Sequence, residues 1–227
     1  MDHDDAQPNA REARGRPDEE SDTAEVPVPR MAGRRVRLRP VGPADFAFVA
    51  TLETHPEVHF RWRHRGTTPS PERLLSSLWD GALVVLLAEH LEVGEPFALL
   101  AAYGADLRNG WCSFGVAAVP DLPAGPTPTL DAVVLFLDYL FALWPLRKVY
   151  AEAPGFAFAQ YATAVPLLLE REGLLKAHDF YMGRHWDKHI LSVSRDDWPT
   201  RRRPFLPLVT GDDALDLGVA SDGDVAS

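Results

Sequence analysis

The chain has 227 residues and a formal net charge of −10, a length that suits one domain with tails. The acidity lies at the ends, because residues 1–30 hold nine acids against four arginines and residues 210–227 hold five acids and no base. The middle carries 19 acids and 19 bases, which argues against a general polyanion-binding surface, since that needs a basic excess.

Both ends combine acidic side chains with Pro, Gly and Ser, so we predict disordered acidic tails over 1–32 and 204–227 around one domain at 33–203. The first 30 residues contain no apolar segment typical of a signal peptide, and Met31 is an alternative start. The longest apolar run, "ALVVLLA", is far below the roughly 18 residues that a membrane span needs. One cysteine excludes an internal disulfide and a multi-cysteine zinc site. We expect a cytoplasmic protein.

The domain begins with a strand and two helices. "RRVRLRPV" at 34–41 alternates polar and apolar residues, as a half-buried strand does. "PADFAFVATLETH" at 43–55 starts with a proline suited to a first helical turn. A second short helix is predicted from Ser70, as N-cap, to Gly81.

Three strands, two helices and a closing hairpin follow. Short turn-rich loops join the three strands, which predicts an antiparallel meander. "LDAVVLFLDYLFALW" is apolar enough for a well-buried helix, a further helix is predicted to end at "LLLEREG", and the hairpin turns at Gly183. The predicted strands are 83–90, 97–106, 111–119, 147–153 and the two arms of the hairpin. The order is β α α β β β α β α β β, an α/β (α+β) domain.

Four pieces in this order carry a family resemblance: "VRLRPVGPADF", "WCSFGVAAVP", "LLLEREGLLKAHDF" and "WDKHILSVSRDDW". Together they resemble the GNAT superfamily of acyl-CoA N-acyltransferases, nearest its ribosomal-protein alanine acetyltransferase branch, over about residues 33–198. The resemblance implies a mixed, mostly antiparallel sheet flanked by helices, with two strands splayed at a cofactor cleft.

The same resemblance implies acetyl-CoA, or another acyl-CoA, as co-substrate. Its pantetheine arm would lie along the strand that carries Phe114, Val116 and Ala118. Its pyrophosphate would lie on the next loop, at the start of the long helix, where backbone N–H groups and the helix dipole favour anions. The implied loop residues are Gly125, Thr127 and Thr129.

That loop departs from the family pattern, which has glycines where this chain has Thr127 and Thr129. Pro126 and Pro128 each remove a backbone donor, so the pyrophosphate loop is degenerate. Hydroxyl groups of the two threonines offer partial compensation. The alternative is a stiff loop with Thr129 as N-cap.

Two family side chains are also replaced. Where the family branch usually carries an asparagine, before the fourth helix, this chain has Ala162 and Val165. Where some members carry a tyrosine that protonates the thiolate, this chain has Leu169. Other groups near the expected cleft are therefore the catalytic candidates, although strand-end carboxylates are more often solvated or paired. These candidates are Glu152, Glu89 and Tyr181.

The basic stretch "RWRHRG" lies between the first two predicted helices, a segment that walls the acceptor side in this superfamily. We predict that Arg61, Arg63 or Arg65 holds an anionic group of the acceptor and that Trp62 packs against its body or against the domain. The alternative is simple alternation, with three arginines facing solvent and Trp62 in the core.

Two hypotheses for the function follow. The first is an N-acyltransferase acting on a primary amine of a small metabolite or peptide. The alternative is a degenerate, non-catalytic protein of the same fold that binds a ligand or a protein partner. We expect no nucleic-acid or membrane partner and a possible homodimer. We also expect no metal, because His185, Asp187 and His189 on one strand rarely converge on one ion.

Overall fold

One seven-stranded sheet organises the chain, with the strand order β1-β2-β3-β4-β5-β7-β6. This computed structural model describes residues 28–120, 128–161 and 165–211. All neighbouring strands are antiparallel except β4 and β5, which are parallel. The strands are β1 Val36–Pro40, β2 Ala82–His90, β3 Pro96–Asp106, β4 Trp111–Ala118, β5 Lys148–Pro154, β6 Glu170–Tyr181 and β7 Arg184–Ser194. The predicted fold class is confirmed.

Helices cover both faces of this sheet. They are α1 Phe46–Thr54, α2 Pro56–His59, α3 Pro71–Ser76, α4 Pro128–Leu143, α5 Val165–Leu168, α6 Trp198–Arg202 and α7 Leu206–Val209. On β2, Leu86 joins the core beneath α4, whereas its neighbour Leu87 joins the core beneath α1 and α3. Since successive strand residues point to opposite faces, two apolar layers explain why the central strands are almost continuously hydrophobic.

Most predicted elements are present, but the helix predicted to end at Gly173 is wrong. After β5 the chain forms a 3₁₀ turn at Phe158–Tyr161 and the single helical turn α5, and β6 already starts at Glu170. Glu170 and Arg171 pair with β7. The carboxylates of Glu170 and Glu172 are ion-paired across the sheet with Arg201 and Lys148. These tertiary contacts override the local helical pattern.

The ordered C-terminal part extends beyond the predicted boundary at 203. Phe205, Leu206 and Val209 are buried, and the Val209 carbonyl accepts a 2.7 Å bond from the Arg34 amide. This segment thus packs beside β1. Among the helices of the described residues, none has the length and apolar character to cross a bilayer.

An ion network fixes the corner between β1 and α1. Glu89 on β2 is 2% exposed and accepts hydrogen bonds from Arg37 and Arg39. Arg39 also donates twice to Asp45, at 2.7 Å each, and Asp45 accepts from the Gly42 amide at 2.8 Å. The Arg39 guanidinium holds the pKa of Asp45 below its usual range, with burial opposing it. The network therefore stabilises the folded state while its carboxylates are ionised.

A second hub holds the segment between α2 and α3. Glu53 on α1 is 1% exposed and accepts from the Trp62 indole at 2.9 Å and from Arg63 Nε at 2.8 Å. Arg63 also donates to the Ser77 carbonyl at 2.6 Å. The Trp62 ring covers Gly115 so closely that a Cβ there would lie 2.8 Å from a ring carbon. Glu53 thus anchors this segment to the sheet.

Asp45→Asn should lower the free energy of unfolding by about 2 kcal/mol at pH 7, because it removes charge-assisted hydrogen bonds to Arg39. The contribution of Asp45 is present above its ordinary pKa, about 3.9, and is lost as pH falls through its lowered folded pKa. Urea titrations at pH 7 and near pH 3 check this, since the difference between variant and wild type should shrink in acid. Glu92→Gln, on an exposed turn, is the control. A pH-independent difference would contradict the prediction.

Arg63→Gln and Arg65→Gln form a matched pair on the same loop. The first should lower the free energy of unfolding by about 3 kcal/mol, since it leaves the buried Glu53 carboxylate without its main cation. The second should cost less than about 1 kcal/mol, because the Arg65 side chain is mostly exposed. Chemical denaturation of both variants checks this. Equal losses would mean that Arg63 is not the structural arginine.

Candidate functional site

The parallel pairing of β4 with β5 ends before either strand does. Their register runs from Trp111 opposite Lys148 to Phe114 opposite Ala151. Within the described residues no further pair joins them, although β4 continues to Ala118 and β5 to Pro154. The two strands therefore diverge, and a cavity of about 1150 Å³ opens between them.

The predicted cofactor strand lines this cavity through Phe114, Val116 and Ala118. Thr129 also lines it, but from inside α4, which begins at Pro128, so the alternative prediction of Thr129 as N-cap is wrong. Gly125 and Thr127 lie outside the described residues. The apolar wall near α4 is completed by Leu130, Val133, Leu168, Leu169 and Leu191.

Glu152, a predicted catalytic residue, lies just beyond the last β4–β5 pair. Glu152 follows Ala151 on β5, and Gly115 follows the opposite residue Phe114 on β4. Because successive strand residues alternate between the two faces, Glu152 and Gly115 lie on the face covered by α1 and α3. Its carboxylate accepts a 3.0 Å hydrogen bond from Lys188 Nζ on β7. Glu152 also lies 3.9 Å from Arg65. The side chain remains 39% exposed, so it is accessible from the cavity.

Lys188 joins Glu152 to a second carboxylate, Asp179 on β6. In the sheet register Lys188 is the diagonal neighbour of both residues, because Glu152 is opposite Ile190 and Asp179 is opposite Trp186. Lys188 Nζ lies 3.4 Å from Asp179, and the lysine side chain is 4% exposed. A buried cation therefore holds two carboxylates at the cavity wall.

Aromatic rings close one side of the cavity. Phe60, from the end of α2, meets Tyr181 of β6 edge-on with ring centroids 5.2 Å apart. Phe156 stacks on Tyr181 at 4.2 Å. All three rings line the cavity. Tyr181, predicted as catalytic, thus lies in an aromatic wall that bridges the α2 end and the β6–β7 hairpin.

Tyr103 on β3 places a further phenol in this cavity, close to Gly115. Burial and the negative charge of Glu152 raise the pKa of Tyr103, while Arg65 opposes this. The hydroxyl therefore stays protonated at neutral pH and is able to donate a hydrogen bond or a proton. By contrast Leu169, where some GNAT members carry a tyrosine, contributes only apolar surface.

The remaining predicted site residues have different surroundings. Glu89 belongs to the β1–α1 ion network and does not line the cavity, because Arg37 and Arg39 hold it at the far end of β2. Arg61, Trp62, Arg63 and Arg65 all line the cavity. Trp62 is buried, as the alternation hypothesis expected, but its arginine neighbours do not share one solvent face. Arg63 is bound to Glu53, whereas Arg65 reaches toward the two carboxylates.

Sequence reasoning missed Asp179, Lys188, Tyr103 and the Phe60 wall. Asp179 and Lys188 are diagonal neighbours across the hairpin around Gly183, so the predicted turn already brings their strands together. Their link to Glu152 depends on the β5–β7 pairing, which is a long-range contact.

Comparison with known proteins finds no matching protein-family model and no matching curated protein. Solved structures do match. A spermidine N-acetyltransferase from Vibrio cholerae, in complex with CoA and spermine, has a TM-score of 0.63 and 16% identity, with 72% of this chain and 98% of that chain covered. A GNAT-family acetyltransferase from Bacillus anthracis has a TM-score of 0.60 and 12% identity, with 73% and 98% covered.

The match covers nearly the whole length of both neighbours, so they share the sheet architecture of this chain. The identities are low, so the likeness concerns the fold. The chain therefore has the fold of the GNAT acetyltransferases.

Proposed function

We propose that the chain is an acyl-CoA-dependent N-acyltransferase, with acetyl-CoA as donor and a primary amine of a small metabolite or peptide as acceptor. The observation that carries this proposal is the end of the β4–β5 ladder at Phe114 and Ala151, which leaves a strand edge beside a large cavity. The Vibrio cholerae neighbour supports it, because that protein forms a complex with CoA and with spermine, an amine of the proposed acceptor class.

The cavity fits an acyl-CoA on chemical grounds. Backbone groups of β4 beyond Phe114 are placed to pair with the amide groups of a pantetheine arm, as a missing strand would. Val116, Ala118 and Val133 offer apolar surface for its methylene groups. When bound, acyl-CoA would supply a thioester whose C–S bond breaks as the amide C–N bond forms, releasing CoA as a thiol.

Glu152 is the residue best placed to take the proton that the amine loses. It lies on the acceptor side of the splay and is partly exposed, and Lys188 fixes its orientation. Tyr103 faces the same cavity and carries the proton that a departing thiolate needs. One proton leaves the amine and one reaches the thiolate, so the exchange is balanced.

Arg61 and Arg65 are the arginines proposed to bind an anionic group of the acceptor. Arg63 is committed to Glu53, but the Arg65 guanidinium is 63% exposed and its contacts to Glu152 and Asp179 are 3.9 and 3.6 Å. These contacts exceed normal hydrogen-bond lengths. Arg65 therefore retains donors for a carboxylate at the cavity mouth.

A second candidate function is binding without turnover. The single-turn α5 and the apolar Leu169 favour it, because they remove the position from which some GNAT members protonate the thiolate. The two functions differ in one measurement. Release of CoA thiol from acetyl-CoA above background with any primary amine would exclude the non-catalytic alternative.

Acetyl-CoA should raise the melting temperature of the purified protein by about 5 to 10 °C at a concentration near 100 times its Kd. Glu152→Gln should keep this shift but lower kcat by about 100-fold, since it removes the proton acceptor and no cofactor contact. Thermal melts and a thiol-release assay check the two parts separately. Glu172→Gln, whose partner Lys148 lies away from the cavity, should behave like wild type. No shift with millimolar acetyl-CoA would overturn the proposed function.

Tyr103→Phe should lower kcat by about 100-fold with little change in the KM for acetyl-CoA, because the ring remains and only the acidic proton is lost. In the wild type Tyr103 is the proposed acid, and its pKa lies above the ordinary tyrosine value of about 10. The phenol therefore stays protonated below about pH 10, and its ionisation should cause no decline of the rate in that range. Steady-state rates from pH 7 to about 10 check this. Tyr150→Phe, outside the cavity, is the control, and unchanged rates in Tyr103→Phe would exclude Tyr103 as the acid.

A further inference from the structure

Asp179 has one oxygen with several contacts and one with none. Oδ1 lies 3.1 Å from His178 Nδ1, 3.4 Å from Lys188 Nζ and 3.6 Å from Arg65 Nη1. Oδ2 is buried and has no hydrogen-bond partner among the described residues. Buried carboxylate oxygens are normally paired, so the unpaired Oδ2 of a residue that lines a large cavity indicates a carboxylate that lacks one hydrogen-bond donor.

The surroundings of Asp179 select a cationic donor. Asp179 and Tyr181 share one face of β6, and the Tyr181, Phe60 and Phe156 rings line the same cavity. Aromatic faces attract ammonium groups, and a carboxylate forms charge-assisted bonds with them. Carboxylate and rings together form a site that fits an alkylammonium group better than a neutral alcohol.

Charge balance supports the same conclusion. Lys188 is the only buried cation in contact with both Glu152 and Asp179 among the described residues, and it offsets one of their two negative charges. Arg65 is near both carboxylates, but it is largely exposed and lies beyond hydrogen-bond distance, so it offsets the second charge only weakly. The wall therefore has room for one more positive group close to Glu152.

We propose that Asp179 binds the ammonium group of the acceptor through its carboxylate, and that the buried Lys188 is a positioning residue that orients Asp179 and Glu152 toward the same amine. This proposal rests on the proposed function: the bound ammonium ion first releases one proton to solvent, and Glu152 accepts the second proton as the neutral amine attacks the thioester. Asp179 would deliver the amine as an ammonium ion and hold it beside the splayed strands.

The binding test uses the full chain with CoA present and n-propylamine or glycylglycine at about 50 mM, with 1-propanol as the neutral probe. Both amines should raise the melting temperature of the wild type, and 1-propanol should not. Asp179→Asn should weaken amine binding by about tenfold or more, while Asp179→Glu should restore part of it. Asp196→Asn, on an exposed turn outside the cavity, should bind amines as the wild type does.

Two outcomes overturn the proposal: neither amine stabilises the wild type, or Asp179→Asn binds them undiminished. Acetyl-CoA is titrated separately into every variant. If it stabilises Asp179→Asn as it does the wild type and amine binding is unchanged, only the Asp179 proposal fails. If acetyl-CoA stabilises no variant, the proposed function fails, and the amine result still decides whether Asp179 binds cations.

Lys188 is tested by kinetics with whichever amine is acetylated. Asp179→Asn should raise the acceptor KM about tenfold and leave the KM for acetyl-CoA unchanged. Lys188→Gln should raise the acceptor KM and lower kcat together, and Lys188→Arg should recover part of both. If Lys188→Gln lowers the melting temperature but leaves the acceptor KM and kcat unchanged, Lys188 has only a structural role.

Discussion

The end of the β4–β5 ladder is the constraint on which the rest of the molecule depends. β4 stays paired with β3, and β5 stays paired with β7, so each strand keeps one partner while the edges between them separate. The sheet thus behaves as two halves joined by four residue pairs. Beyond these pairs the two halves are joined by the core beneath α4, which contains Phe114 of one half and Val149 of the other.

The two halves differ in what covers the face that lies away from α4. The half that ends in β4 is covered by α1 and α3, and the Trp62 ring packs on Gly115, where any side chain would exclude it. The half that contains β5, β7 and β6 packs beneath α4 through Val149 and Val193. On its other face the polar diagonal Glu152–Lys188–Asp179 takes the place of an apolar contact. An ion-paired wall is costly to bury, and it is retained beside the opening where a ligand is able to use it.

Much of the fold was predictable because the strand and helix patterns are local. β2, β3 and β4 followed from the short turn-rich loops between them, and α4 from its apolar length. The helix predicted before Gly173 failed because β6 gains its stability from pairing with β7, which no local pattern encodes. Arg63 was predicted as a substrate residue, but it binds Glu53, ten positions earlier on α1. The sequence predicts that helix but not the direction in which Glu53 points from it.

The site shows the same division. Phe114 and Val116 were predicted from the family resemblance and Glu152 as a carboxylate near the expected cleft, and all three line the cavity. Asp179 and Lys188 were not predicted, because their importance arises only when β7 is inserted between β5 and β6 in the sheet. That insertion makes one lysine the diagonal neighbour of two carboxylates from strands that are not paired with each other. Leu169, to which the family resemblance assigned a tyrosine, adds only apolar surface to the cavity, whereas Tyr103 places a phenol there. In the proposed transferase Tyr103 is the proton donor, and β3 holds it independently of the short helix α5.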